Sequence, residues 1–134
     1  MDELRRRFDA CTASRLTAED CVPEIRVDAD LPIAQITDEN MRVLEQLEPY
    51  GFGNPEPIFA TADLKLSSQP RVLKERHLRL ALRQDGHSIT AIGWHMGNRA
   101  AEFNAGALLD AAFTVEPDDY MGGWRLILRD VTTR

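Results

Sequence analysis

His77-Leu78-Arg79-Leu80-Ala81-Leu82-Arg83-Gln84-Asp85-Gly86-His87 is the stretch on which the fold turns. Leu78, Leu80 and Leu82 alternate with His77, Arg79 and Arg83, so an extended chain puts apolar side chains on one face and basic ones on the other. Asp85-Gly86 supplies the two positive-φ residues that a two-residue hairpin turn needs. The spacing predicts a strand over His77–Arg83, a turn at Asp85-Gly86, and a returning strand over Ser88–Trp94.

Outward from this hairpin the same period continues. Ile58–Leu66 reads as a strand before it. After it come one helical turn at Arg99–Phe103, a strand at Leu108–Val115, a turn at Asp118–Gly123 and a last strand at Trp124–Val131. In the last strand, Trp124, Leu126 and Leu128 share one face, and Arg125, Ile127 and Arg129 the other. The order β-β-β-α-β-β over about 75 residues is that of an OB-fold, a partly open Greek-key barrel. Its second and third strands and adjoining loops bind oligonucleotides or oligosaccharides. The expected class is therefore mainly β with N-terminal helices, the five-stranded barrel occupying residues 58–134.

The preceding chain has another character. Met1–Glu48 is expected to be a helical segment. Leu4, Phe8 and Cys11 stand at helical spacing in a first helix ending near Leu16, which needs a neighbour to cover its apolar side. Glu24–Asp28 alternates as a short strand or extended edge. Thr37 is placed to N-cap a second helix, with Asp38 and Glu39 in its first turn, Ile36 and Met41 as a staple, and Met41, Leu44 and Leu47 as its apolar stripe. Pro49-Tyr50-Gly51-Phe52-Gly53-Asn54-Pro55-Glu56-Pro57 then combines three prolines, two glycines and two aromatics. It reads as a rigid connector over 49–57 whose aromatics pack against a neighbour.

Composition narrows the setting. Apolar residues at 43% and charged residues at 28% describe a globular chain rather than a disordered one. No apolar run reaches the roughly 20 residues of a membrane span, and no secretory signal follows Met1. The two cysteines, Cys11 and Cys21, are too few for a disulfide framework or a zinc site, which fits a reducing, cytoplasmic setting. The net charge of −6 conceals a segregation: residues 1–64 carry −8, residues 65–100 carry +5, and residues 101–134 carry −3. Because screening confines each charge to about 10 Å, a basic stripe on an acidic body keeps its own local field.

Leu47-Glu48-Pro49-Tyr50-Gly51-Phe52-Gly53-Asn54-Pro55-Glu56-Pro57-Ile58-Phe59 closely resembles the Leu-x-Pro-Phe-Gly-x-Gly-Asn-Pro-x-Pro-x-Phe pattern of the RecJ family. Those proteins are single-strand-specific 5′ to 3′ exonucleases of the DHH phosphoesterase superfamily. His77-Leu78-Arg79-Leu80, Ala91-Ile92-Gly93-Trp94-His95-Met96-Gly97, Asp110–Glu116 and Leu126–Val131 follow in the family's order, so the resemblance spans roughly residues 22–131. It implies an OB domain behind the tail of a DHHA1-type domain, at the C-terminal end of a metal-dependent hydrolase of DNA repair and recombination. The sequence departs from the family at Tyr50, where Phe is usual, at Met121, where Asn is common, and at Ile127, where Gln often stands. An outward-facing Ile127 would remove a hydrogen-bonding group from the last strand.

No Asp-His-His run is present, nor the Gly-Gly-His element of DHHA1 domains. His77, His87 and His95 have no acidic neighbours at ligand spacing. Two-metal hydrolysis needs several carboxylates and imidazoles around ions about 4 Å apart. The piece is therefore expected to be non-catalytic by itself and to need no cofactor, with Mn2+ or Mg2+ implied only for the parent enzyme.

The main candidate site is the basic stripe. Arg71, Lys74, Arg76, Arg79 and Arg83 fall within 13 residues, opposed only by Glu75. With Leu78, Leu80 and Leu82 inside a barrel, His77, Arg79 and Arg83 face out, and Arg71, Lys74 and Arg76 line the loop leading there. Such a face is either plain solvated surface or a set of cations for phosphates. Trp94 is either core filler or a stacking platform, and His95 beside it is a candidate for a base or phosphate contact. Tyr50, Gly51, Phe52, Gly53, Asn54 and Pro55 are expected to be structural, with Asn54 tying the turn, and Gly93 and Gly97 to mark bends. The expected partners are single-stranded DNA, the DHH and DHHA1 domains of the parent chain, and the acidic tail of a single-strand-binding protein. The competing reading is a docking or structural lid domain.

Overall fold

The computed structural model describes residues 2–15, 17 and 23–134, so Leu16 and Cys21 lie outside the described residues. Along the chain run α1 (Asp2–Arg15), β1 (Ala29–Asp30), α2 (Asp38–Glu45), β2 (Phe59–Leu66), β3 (Arg71–Leu73), β4 (His77–Gln84) and β5 (His87–Gly93). A 3-10 helix (Gly97–Glu102), β6 (Leu108–Pro117) and β7 (Trp124–Thr133) complete it. Among the described residues no helix is long and apolar enough to cross a membrane.

Five strands make the ring. The sheet runs β2-β6-β7-β5-β4 and closes through a β2–β4 pairing at Lys65↔Arg83 and Leu66↔Leu82. All of these contacts are antiparallel except β5–β7, where Ala91↔Leu126 anchors a parallel pairing. Inside stand Leu64 and Leu66 of β2, Leu78, Leu80 and Leu82 of β4, Ala91 of β5, Leu109 and Phe113 of β6, and Leu126 and Leu128 of β7. Phe103, just past the 3-10 helix, joins them with 2% of its surface exposed. Burying each large side chain contributes about 1.5–3 kcal/mol, so this interior is the main source of stability.

Two strands were not expected. β1 pairs in parallel with the start of β2, where Asp28 N–H donates to Ile58 O, and it lies just after the predicted Glu24–Asp28 segment, which forms no strand. β3 pairs with β4 through Arg71↔Arg79 and Leu73↔His77, so the predicted loop before β4 is a short hairpin. In β2 the buried positions shift from Phe59 and Thr61 to Leu64 and Leu66 across a bulge at Ala62-Asp63. That extra residue lets one strand keep its apolar side chains inward while the barrel wall bends.

The helical segment is looser than its pattern suggests. Thr37 does cap α2, its hydroxyl accepting from Asn40 N–H, and Met41 is buried. Leu47 falls beyond the end of α2 and is half exposed, so it does not extend the buried stripe. α1 buries no residue, leaving Leu4, Phe8 and Cys11 exposed. In the connector, Tyr50 packs and donates its hydroxyl to Leu44 O, whereas Phe52 stands wholly in solvent rather than against a neighbour. Asn54 Nδ2 donates to Leu47 O and Pro49 O, and Gly51 and Asn54 exchange backbone hydrogen bonds around Gly53 at φ 81°.

Candidate nucleic-acid interface

The outward faces of β3, β4, β5 and β7 form one continuous surface. Register carries Arg71 opposite Arg79, Arg79 opposite Ile92, and Ile92 opposite Ile127. One strand-step away, Ala81, Thr90 and Arg125 form a second row. Ile92 and Ile127 are almost fully buried although they face away from the barrel interior. They give the surface an apolar floor, so Ile127 faces outward as expected but is a packing residue.

Arg71 and Arg79 are directly opposed cations on neighbouring strands, an arrangement that repels unless an anion lies between them. Among the described residues only Arg7, Arg99, Arg125 and Arg134 form ion pairs, so Arg71, Lys74, Arg76 and Arg79 are unpaired like most of the chain's cations, but these four stand together. Four cations are thus left uncompensated at one end of β4. Arg83 does not join them. Its register partners are Lys65 and Ser88, about 13 Å along the strand from Arg79 at ~3.3 Å per residue, and it shares a hollow with Asp63 and Asp85.

The hairpin that carries Lys74 is tight. Arg76 N–H donates to Leu73 O, and Lys74 and Glu75 both adopt positive φ, at 51° and 59°. The 3-10 helix clamps this turn from behind: Gly97 N–H donates to Arg76 O at 2.8 Å. A Cβ on Gly97 would stand 2.8 Å from the Arg76 carbonyl carbon and oxygen. On Gly93 it would meet Met96 Sδ at 2.7 Å. Both glycines stand where the chain approaches a neighbour too closely for a Cβ.

Trp94 lies on the outer face and is 47% exposed, which settles it as surface rather than core. The core parity of β5 belongs to Ala91 and Ile89. The Arg125 guanidinium lies 5.9 Å from the Trp94 ring centroid, itself held by Glu116 through an Nε–Oε1 bond of 2.7 Å. The His77 and Trp94 rings pack T-shaped with centroids 4.8 Å apart, and the His77 and His95 rings do so at 5.1 Å. His95, at φ 59°, donates its backbone N–H to His77 Nδ1 at 3.0 Å. Partial burial holds the His77 pKa below its ordinary 6.5, and the charges of His95, Arg76 and Lys74 push the same way.

A groove of about 450 Å³ beside this cluster is lined by Leu73, Lys74, Arg79, Thr90, Tyr120 and Arg125, among others. The β6–β7 turn forms its far wall. Asp118, 6% exposed, accepts from the N–H groups of Tyr120 and Met121 and so fixes the turn with both side chains in solvent. Arg125 and Tyr120 were absent from the expected site. Arg125 reads as an ordinary outward residue of the last strand, and only the parallel β5–β7 pairing brings it beside Trp94.

A closed ring of five strands containing one parallel contact, with a helix between its third and fourth strands and a cationic groove across its second and third, defines an OB-fold domain. The family model described as the RecJ OB domain matches residues 27–130, and the chain belongs to that family. It is 25% identical over 96 residues to the single-stranded-DNA-specific exonuclease RecJ of Bacillus subtilis, covering 71% of this chain and 12% of that protein. It also resembles RecJ of Thermus thermophilus in structures with Mn2+ and with Mg2+. Both align at 25% identity and a TM-score of 0.64 over the whole of this chain, covering 20% and 21% of theirs. The chain thus spans about an eighth of its curated relative and a fifth of the solved ones.

Proposed function

We propose that this domain is the single-stranded DNA-holding module of a RecJ-type 5′ to 3′ exonuclease acting in repair and recombination, and that it grips the strand without cutting it. The observation that carries this reading is the set of four uncompensated cations, Arg71, Lys74, Arg76 and Arg79, beside an exposed indole at Trp94. Phosphates neutralise the cations, and a base stacked on Trp94 adds about 1–3 kcal/mol. His95 lies at the same edge, within reach of a base or phosphate. Arg83 belongs to this set by sequence but stands apart from it.

Among the described residues, no three His, Cys, Asp or Glu side chains are grouped to hold a metal ion. The donor set does not fit the Mn2+ or Mg2+ of the solved relatives, and no step here runs through one. Hydrolysis belongs to the parent's DHH and DHHA1 domains, and the connector, locked by Asn54, sets the orientation of the barrel to them. A second reading has an observation of its own. Val43, Leu47 and Phe52 are exposed apolar side chains around the connector, as a surface docked on the nuclease core would require.

Fluorescence anisotropy with a labelled oligothymidylate at low salt tests the proposal. Binding should weaken with added salt, and replacing Arg76 and Arg79 together by Ala should lower both the affinity and the salt slope. An acidic peptide with the sequence of a single-strand-binding protein's tail is the comparison arm. If the peptide binds and the oligonucleotide does not, the domain is a docking module instead.

A further inference from the structure

His77 is the joint of the DNA face. Its Nδ1 accepts the backbone N–H of His95 at 3.0 Å, so that nitrogen carries a lone pair and, on a neutral ring, the proton sits on Nε2. His95 is held at φ 59°, a conformation that non-glycine residues adopt only where their surroundings hold them. The His77 and Trp94 rings pack T-shaped with centroids 4.8 Å apart, and Arg125 lies over the indole. The charged groups facing His77 are cationic or basic: Lys74 and Arg76 from the turn before β4, and His95 after β5. Each of them opposes a second proton on the ring.

Resting on the reading of this face as a single-stranded DNA interface, we propose that His77 is a positioning residue. As the neutral Nε2–H tautomer it fixes the His95 turn and holds the Trp94 indole as a base platform, and it neutralises no phosphate itself. Its loss should therefore loosen stacking without changing the number of counterions released on binding. A phosphate ligand behaves otherwise, since losing one lowers the slope of log affinity against log salt by about 0.7.

Nitrogen-15 NMR of the imidazoles at neutral pH should show His77 protonated at Nε2 only. In oligothymidylate anisotropy, His77→Ala should weaken binding several-fold with an unchanged salt slope. His77→Asn, whose amide oxygen can accept the His95 N–H, should recover most of the loss. His77 protonated at Nδ1, or a slope reduced by about one phosphate contact, overturns the proposal. So does an Asn variant no better than the Ala variant. If the wild type binds no oligothymidylate at all, the DNA reading fails separately. The positioning role is then still decided by the tautomer and by the Trp94 indole N–H resonance, which must shift in His77→Ala.

Discussion

Gly97 has room for a hydrogen and little else, because the Arg76 carbonyl lies where its Cβ would go. That clash is with backbone, which cannot swing aside, so Gly97→Ala should destabilise by about 1–3 kcal/mol in urea denaturation. Gly93→Ala should cost less, since the obstacle there is the flexible Met96 side chain. A wild-type midpoint for Gly97→Ala would show that the 3-10 helix does not clamp the basic turn. His77 makes a second prediction at this scale. Its folded pKa lies below 6.5, so the unfolded chain takes up a proton that the folded ring resists. Its share of stability is full above that value and is lost as pH falls below it toward the folded pKa. Urea midpoints compared at neutral and mildly acidic pH should fall less for His77→Asn than for the wild type.

Among elements, the β4–β5 hairpin was legible because every local signal agreed: alternating leucines and an Asp-Gly turn, which adopts φ 49° and 85° as the type demands. The β3–β4 hairpin was hidden for the opposite reason. Its three-residue turn, Lys74-Glu75-Arg76, puts positive φ on Lys74 and Glu75, residues with no preference for it, and is held from outside by Gly97. The bulge in β2 hid too, since Ala62-Asp63 looks like ordinary strand until its partner β6 shows the register shift. The basic stripe could be read from parity alone. Its division could not, because only pairing shows that Arg83 ends beside Asp63 and Asp85. Asp118 supports the β6–β7 turn with two backbone hydrogen bonds, so Asp118→Ala should cost about 1–3 kcal/mol by denaturation and weaken oligonucleotide binding by freeing Tyr120. Stability equal to wild type would mean that the turn holds its shape without the carboxylate.

Across the whole molecule, composition concealed what position reveals: a chain of net charge −6 gathers four unpaired cations, Arg71, Lys74, Arg76 and Arg79, at one end of β4. α1 buries none of its residues, so removing residues 1–15 should leave the thermal midpoint unchanged. A substantial drop would mean that α1 supports the barrel after all. The DNA-holding account depends most on those four cations. Its most direct test is the salt slope of oligothymidylate binding, measured for the wild type and for the Arg71→Ala, Arg79→Ala double variant. The account predicts that the slope falls by about 1.4, two phosphate contacts at ~0.7 each. An unchanged slope with unchanged affinity would contradict it.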